Sequence, residues 1–292
     1  VDKEAPGLRP GDFIVSEGSK EDLHEIAEKT GVDFKALQSE VVAGTPEVKK
    51  PRIGIYQRYY GGNMDEGWTR LVLEMFSFPY ASLMDAEIKK GNLRARYDVI
   101  ILPDDSPGMI MGEIPERYRR FISAVPPEYR SGIGQEGVDA LKDFVEKGGI
   151  LITLGQASGF AIDKFSLRVR NVVADLPSRE FFCPGSTVKV RFDNTHSLAY
   201  GMPAEGLILF NSNQAFEIQP GQNNEMYETV VRYRERDLLQ SGWLIGEKHL
   251  SGKPAAIRVE VGKGEVILFG FRPQHRAQTH GTFKLFFNAL LR

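Results

Sequence analysis

Five histidines, one cysteine and a few clustered carboxylates are the groups in this 292-residue chain that could carry chemistry. His275 and His280 lie beside Arg272 and Arg276 in one late stretch. Two imidazoles joined by a carboxylate from another loop, such as Asp65, Glu66 or Asp104, would suit a metal-dependent enzyme. The other available chemistry is nucleophilic: Ser158 or the lone Cys183 attacks, with His275 as base, in a stand-alone hydrolase. Ser158 belongs to Gly155-Gln156-Ala157-Ser158-Gly159, which follows the apolar run Ile150 to Leu154. A strand that breaks into a Gly-x-x-x-Gly turn and enters a helix has the pattern of a nucleophile elbow. Its middle residue is Ala157, expected at the tip of the turn and facing the rim, so an elbow here carries no nucleophile. Ser158 stands one place past that apex, along the start of the helix. Cys183, between Phe182 and Pro184, reads as a buried small hydrophobe. The plainer alternatives are an ordinary strand-to-helix turn and loop histidines satisfied by hydrogen bonds.

The elements that must position these groups alternate along the chain. Pro51 opens a domain in which Arg52 to Tyr56, Pro79 to Leu83, Tyr97 to Leu102 and Ile150 to Leu154 read as buried strands. Helices are expected between them. Asp65 caps Glu66 to Phe76, with Trp68, Leu71, Val72 and Met75 on one face; Asp85 starts a short helix stopped by Gly91; Gly134 to Lys147 is amphipathic. Trp68, Phe76, Phe78 and Tyr80 read as core. This alternation predicts an α/β domain with a doubly wound, mostly parallel sheet. The stretch from Pro103 to Gly134 is long and irregular, with a helical segment expected near Pro115 to Val125. After Asn171 the pattern turns β-rich: Thr187 to Phe192, Gly206 to Phe210, Glu228 to Arg234, Ala255 to Val261 and Glu265 to Phe269, the last two joined by a Gly262-Lys263-Gly264 turn. His280 to Leu291 closes the chain as a helix. Residues 1–50 form a leader and linker: a strand at Gly11 to Val15, then a helix from Lys20 to Lys29, capped by Ser19 and ended by Gly31. Residues 51–292 form the main domain.

Ligands of open α/β sheets sit outside the carboxyl ends of the parallel strands. The residues that follow those strands therefore define the candidate pocket: Asn63, Asp65 and Glu66, then Asp104 and Ser106, then Gln156 and Ser158, then Arg272, His275 and His280. Arg272 cannot shed its proton, so charge balance predicts that Asp65 or Glu66 approaches Arg272 or Arg276, with Asp104 and Asp105 also within reach of the fold.

Composition narrows the function classes. The chain is 41% hydrophobic and 26% charged, with a net charge of −2. That balance offers no basic field for nucleic acid. No apolar run approaches the ~18 residues of a membrane-spanning helix, and residues 1–20 contain no signal-peptide core. The chain begins at Val1, as a processed or excised chain would. A single cysteine excludes an internal disulfide framework.

The strand order, the Gly155–Gly159 turn and the run Gly270-Phe271-Arg272-Pro273-Gln274 resemble the class I glutamine amidotransferase-like fold, of flavodoxin-like type. That family carries Gly-x-Cys-x-Gly at the elbow and Phe-His-Pro-Glu after a late strand. On this sequence the cysteine position is Ala157, the histidine position Arg272 and the glutamate position Gln274. The family's glycine-rich oxyanion loop corresponds to Asp104-Asp105. Without thiol, base and orienting carboxylate, amide hydrolysis by that route has no chemistry to run on.

A second resemblance covers roughly residues 50–292. Asn63 to Arg70 (NMDEGWTR), Ile101 to Asp104, Glu180 to Gly185, His196 to Pro203 and Phe269 to Lys284 are similar to the C-terminal region of large bacterial carboxypeptidase A-like zinc metallopeptidases. It implies an upstream peptidase domain in the same protein, with zinc there and no cofactor in this chain, and a parent that could be exported to the periplasm or secreted. The His-x-x-Glu motif of such a zinc site does not occur here: three residues after the five histidines stand Ala27, Ala199, Gly252, Gln278 and Phe283. Together these features lead to the expectation of a catalytically silent amidotransferase-like domain. Its work would be scaffolding, pairing with a second subunit in a homo-oligomer, or binding a small polar or peptide ligand.

Overall fold

The computed structural model describes residues 8–37, 47–113, 124–126, 129–130, 132–222 and 226–292. The chain divides into two compact units, Val1–Lys49 and Lys50–Arg292. The helical segment expected near Pro115 to Val125 lies outside the described residues except for its last two positions, a turn and a bend.

In the first unit α1 (Lys20–Thr30) begins at a capping box. Ser19 Oγ accepts from the Asp22 N–H, and the Asp22 carboxylate accepts from the Ser19 N–H. Gly31 ends the helix in the left-handed region. Gly11 to Val15 is not a strand, contrary to the sequence expectation. Phe13 and Val15 are exposed, and an apolar alternation makes a strand only where a neighbouring strand completes its ladder.

The second unit is α/β. Its strands are β1 (Ile53–Tyr56), β2 (Tyr80–Leu83), β3 (Val99–Leu102), β4 (Ile150–Leu154), β5 (Val169–Asn171), β6 (Ser186–Phe192), β7 (Glu205–Phe210), β8 (Phe216–Ile218), β9 (Tyr227–Tyr233), β10 (Leu239–Ser241), β11 (Pro254–Val261) and β12 (Gly264–Phe269). Five of them, in the order β2-β1-β3-β4-β12, are parallel. The sheet continues antiparallel through β11, β9 and β6, with β10 and β7 also pairing β6. The described helices are α2 (Met64–Met75), α3 (Asp85–Lys89), α4 (Leu93–Arg96), α5 (Pro107–Met111), α6 (Gly134–Glu146), α7 (Ala157–Lys164) and α8 (Phe283–Leu290). No helix among the described residues is long and apolar enough to cross a membrane.

The inner parallel strands are apolar because both faces are covered, whereas the edge strand β2 is only partly buried. Every residue of β1 and β3 is buried. One layer of core holds Ile53, Ile55, Ile101, Ile152, Leu154 and the inner side of α8; the other holds Tyr56, Ile100, Leu102, Leu151 and α6. The β11–β12 hairpin turns through Gly262 and Lys263, with Val261 opposite Gly264, as the sequence predicts. The short strands β5, β8 and β10 have no clear signal in the sequence, being three residues each.

Two helix expectations are corrected. The N-cap of α2 is Asn63, whose Oδ1 accepts from the N–H groups of Asp65 and Glu66 at 2.9 and 3.3 Å; Asp65 lies inside the helix. In addition, α2 buries Asp65, Glu66, Thr69, Val72 and Leu73, while Trp68, Leu71, Met75 and Phe76 are exposed rather than core. The underside of α2 lies over the polar ends of the strands, so its acids turn inward to partners there.

Candidate functional site

The loops after β1, β3, β4 and β12 converge at the carboxyl edge of the parallel sheet. Four observed contacts tie them. Asp65 Oδ2 accepts from the Asp104 N–H at 2.9 Å, joining the loops after β1 and β3. Asp104 Oδ1 accepts from the Gln156 N–H at 2.7 Å, reaching the turn after β4. Asp104 Oδ2 pairs with Arg272 Nη1 at 3.1 Å, reaching the loop after β12. Gln274 Nε2 donates to Asp65 at 3.3 and 3.2 Å and to Thr69 Oγ1 at 3.0 Å, closing the ring. Thr69 in turn donates to the Asp65 carbonyl at 2.7 Å.

A second pair supports this ring from outside. Arg58 Nε bonds Asp105 Oδ2 at 2.5 Å, and Asn63 Nδ2 donates to the Asp104 carbonyl at 3.3 Å. Ser106 caps α5, its Oγ accepting from the Met109 N–H at 3.3 Å. Arg272 also donates to the Asn211 carbonyl at 2.9 Å. The charge-balance expectation is met by a different acid: Asp104 holds Arg272. Asp65 faces Gln274, and Glu66 pairs with Arg70 one helical turn on, at 2.8 Å. Asp104 follows β3, which is one strand nearer to β12 than β1 is, with β4 between them.

Burial sets the electrostatics. It pushes the Asp65 carboxyl up to about 6, against the opposing pull of the Asp104 N–H, Arg272 and Gln274. It raises Asp104 too, opposed by the Gln156 N–H and Arg272. Glu66 is raised for the same reason, opposed by Arg70. The His275 imidazole is pushed down to about 4, first by burial and then by the charges of Arg272 and Arg276.

The turn after β4 is not a nucleophile elbow in form. Its left-handed residue is Gly155, at φ 54, whereas Ala157 has no positive φ and begins α7. Ala157 is fully buried in the core rather than at an exposed tip. The reversal of the chain is completed two residues earlier than the Gly-x-x-x-Gly pattern predicts, and Ala157 then packs as any first-turn helix residue. A Cβ at Gly155 would stand 2.4 Å from Asp104 Oδ1, so the carboxylate fills the space above the turn.

The remaining candidates do not assemble into a catalytic group. Ser158 is fully buried, its Oγ 3.0 Å from Thr153 Oγ1 and donating to the Phe269 carbonyl at 3.1 Å. Among the described residues, no hydrogen bond joins it to His275. Cys183 is buried in the other core layer, and burial raises its thiol above the ordinary range. His280 is exposed, 3.1 Å from the Ala277 carbonyl through Nε2 and stacked on Phe283. Gln156 is exposed and contributes its backbone. Among the described residues no three His, Cys, Asp or Glu side chains come together as metal ligands. A hollow of about 270 Å³ lies elsewhere, lined by residues of β8, β9 and β11 with Gly252 and Lys253. Arg58 and Thr69 are members of the network that the sequence reading omits. Thr69 was visible as the residue one helical turn after Asp65; Asn211 had no local signal, since its role is a backbone carbonyl brought in from the β7 end.

No protein-family model matches the sequence, and no curated protein matches it. Solved structures similar to this chain include a protein described as ThuA-like from Bacteroides uniformis, at 13% identity over 85% of this chain and 93% of that one, with a TM-score of 0.44. Another is a protein from Thermoplasma acidophilum described as a GMP synthase subunit, at 11% identity over 82% and 92%, with a TM-score of 0.48. A third is the beta-galactosidase of Bacillus circulans sp. alkalophilus, at 11% identity over 83% of this chain and 30% of that one, with a TM-score of 0.46.

Proposed function

We propose that residues 51–292 form a catalytically silent glutamine amidotransferase-like domain that serves as a scaffold and pairing module in a larger zinc carboxypeptidase-like protein. The observation that carries the silent part is the Arg272–Asp104 pair. Arg272 stands where a catalytic imidazole would accept a proton, and a guanidinium cannot act as a base near neutral pH. Its Nη1 is held by Asp104 and its Nη2 by Asn211, so it is not left open as an anion-binding site. Gln274, at the position of the orienting carboxylate, is spent on Asp65 and Thr69. Side chains that would bind and activate a substrate instead hold four loops together.

Incubation of the chain with glutamine and simple amides tests this reading: no ammonia above buffer is expected. Turnover that disappears in Ser158→Ala or Cys183→Ala would replace it with a hydrolase. The peptidase context rests on the sequence resemblance. It is tested by reading the frame upstream of Val1 for a domain with His-x-x-Glu, where the zinc of the parent protein would be held.

A further inference from the structure

The hollow of about 270 Å³ takes its walls from two sheets. Phe216, Glu217 and Ile218 belong to β8, which pairs with β5 in a small sheet of its own. Thr229 and Arg232 on β9 and Pro254 on β11 belong to the large sheet. The β9–β11 pair is irregular here: its register shifts between Pro254 and Ala256 and again between Ala256 and Ile257. Thr229 and Arg232, three positions apart, would face opposite sides of a regular strand. Both line the hollow, as a bulged strand allows.

The hollow joins an apolar floor to a charged rim. Phe216 and Pro254 are buried and Ile218 is half-buried. At the rim, Glu217 is already shared by two cations: Lys253 Nζ donates to its Oε1 at 2.8 Å and Arg170 Nε to its Oε2 at 2.6 Å. Arg232 has no carboxylate. Among the described residues its side chain makes one bond, from Nη1 to the Gly252 carbonyl at 2.6 Å. That leaves Nε and Nη2 as unused donors, the fork that a carboxylate accepts. The Thr229 hydroxyl also makes no hydrogen bond among the described residues.

The strand ladder adds to this surplus. Arg191 on β6 stands directly opposite Arg232 and pairs with Glu205, an acid that Arg234 also approaches. Like charges directly opposite are destabilising, so an anion at Arg232 relieves a repulsion the fold has left in place. Glu217 on the rim, and Glu235 lying beside Gly252, disfavour a doubly charged anion. A bare inorganic ion would leave the apolar floor unused. The volume lies below the ~300 Å³ at which pockets for drug-sized ligands begin, so the ligand is small.

We propose that this hollow binds a small monocarboxylate with an apolar body, its carboxylate on Arg232 and its body on Phe216, Ile218 and Pro254. A free acid presents that chemistry, and so does the last residue of a peptide ending in an apolar side chain. The site is distinct from the ring of strand-end loops and adds a binding function to the scaffold role.

Titration of the full 15N-labelled chain with 3-phenylpropionate, followed by amide chemical shifts, tests it. Saturable shifts are expected at residues 216–218, 229–232 and 252–253. The uncharged 3-phenylpropionamide should bind about tenfold more weakly, because it cannot make the charged pair. Phosphate should give no saturable shifts there. Arg232→Gln should weaken 3-phenylpropionate by the same factor with the rest of the spectrum unchanged; should that variant fail to fold, the acid–amide comparison on the unaltered chain still decides. Acetyl-Gly-Gly-Phe in a parallel titration identifies the source: tighter binding than the free acid marks a peptide end, weaker binding a free acid. No saturable shifts at these amides, equal binding of the carboxamide or of phosphate, or undiminished binding by folded Arg232→Gln would overturn the proposal. The ammonia assay reads catalytic silence separately, so an empty hollow would leave that conclusion standing.

Discussion

Gln274 Nε2 donates to both carboxylate oxygens of Asp65, at 3.3 and 3.2 Å, and both residues are buried. The two are 209 positions apart, so this contact closes the ring of strand-end loops from its two ends. It also accounts for a carboxamide at 274. A glutamate there would set two buried acids against each other.

Gln274→Glu should therefore destabilise the fold. With no counter-charge added, the loss is expected at about 2–4 kcal/mol near pH 8. It should shrink as pH falls, because one shared proton removes the repulsion. Urea unfolding at pH 5 and pH 8 checks both size and direction. An equal loss relative to the parent chain at the two pH values would show that the side chains do not face each other.

Asp104→Ala removes the acceptor for Arg272 and for the Gln156 N–H together. A loss of about 2–4 kcal/mol is expected, since a partly enclosed guanidinium is left without its carboxylate. Asp104→Asn keeps an acceptor for Gln156 and should cost less. The comparison is a pair of denaturant midpoints.

Asp65 and His275 should give opposite pH dependences. The folded carboxyl of Asp65, about 6, lies above its ordinary 3.8. The unfolded chain therefore releases this proton first as pH rises. The stability the folded state draws from this proton is complete below pH 3.8 and lost on the way to pH 6, by about 2–3 kcal/mol. Asp65→Asn should flatten that descent.

The folded His275 imidazole, about 4, lies below its ordinary 6.5. Here the unfolded chain gains the proton first as pH falls. Stability is complete above pH 6.5 and declines toward pH 4, by about 2 kcal/mol or more. In the parent chain this loss opposes the gain from Asp65 over the same range, so His275→Gln should become more stable relative to the parent as pH falls from 6.5 to 4. Thermal melts from pH 4 to pH 8 separate the two effects.

Ala157→Cys places a thiol at the start of α7. Because Ala157 is fully buried in the first turn of α7, the new thiol should not react with a disulfide reagent in the native protein and should react once urea is added. No glutaminase activity should appear. Rapid native labelling would mean that the turn opens to the rim.

The sequence by itself determined the strands that are buried on both faces, since only continuous apolar runs such as Val99 to Leu102 can be covered on both sides. It determined the β11–β12 hairpin through Gly262 and Lys263. It also determined that positions 157, 272 and 274 supply no thiol, no imidazole and no carboxylate, because alanine, arginine and glutamine lack them in any fold. Tertiary structure alone decided the partners. Asp65, Glu66, Asp104 and Asp105 are interchangeable as charges, and only the folded loops place Asp104 against Arg272. It also decided the rotation of α2. Periodicity shows that the helix has a mixed polar side and an apolar side, but which one turns inward depends on what lies beneath. Beneath the first turns of α2 lie the Asp104 N–H and Gln274, so its acids are buried along with Val72 and Leu73, while Trp68, Leu71 and Met75 face out.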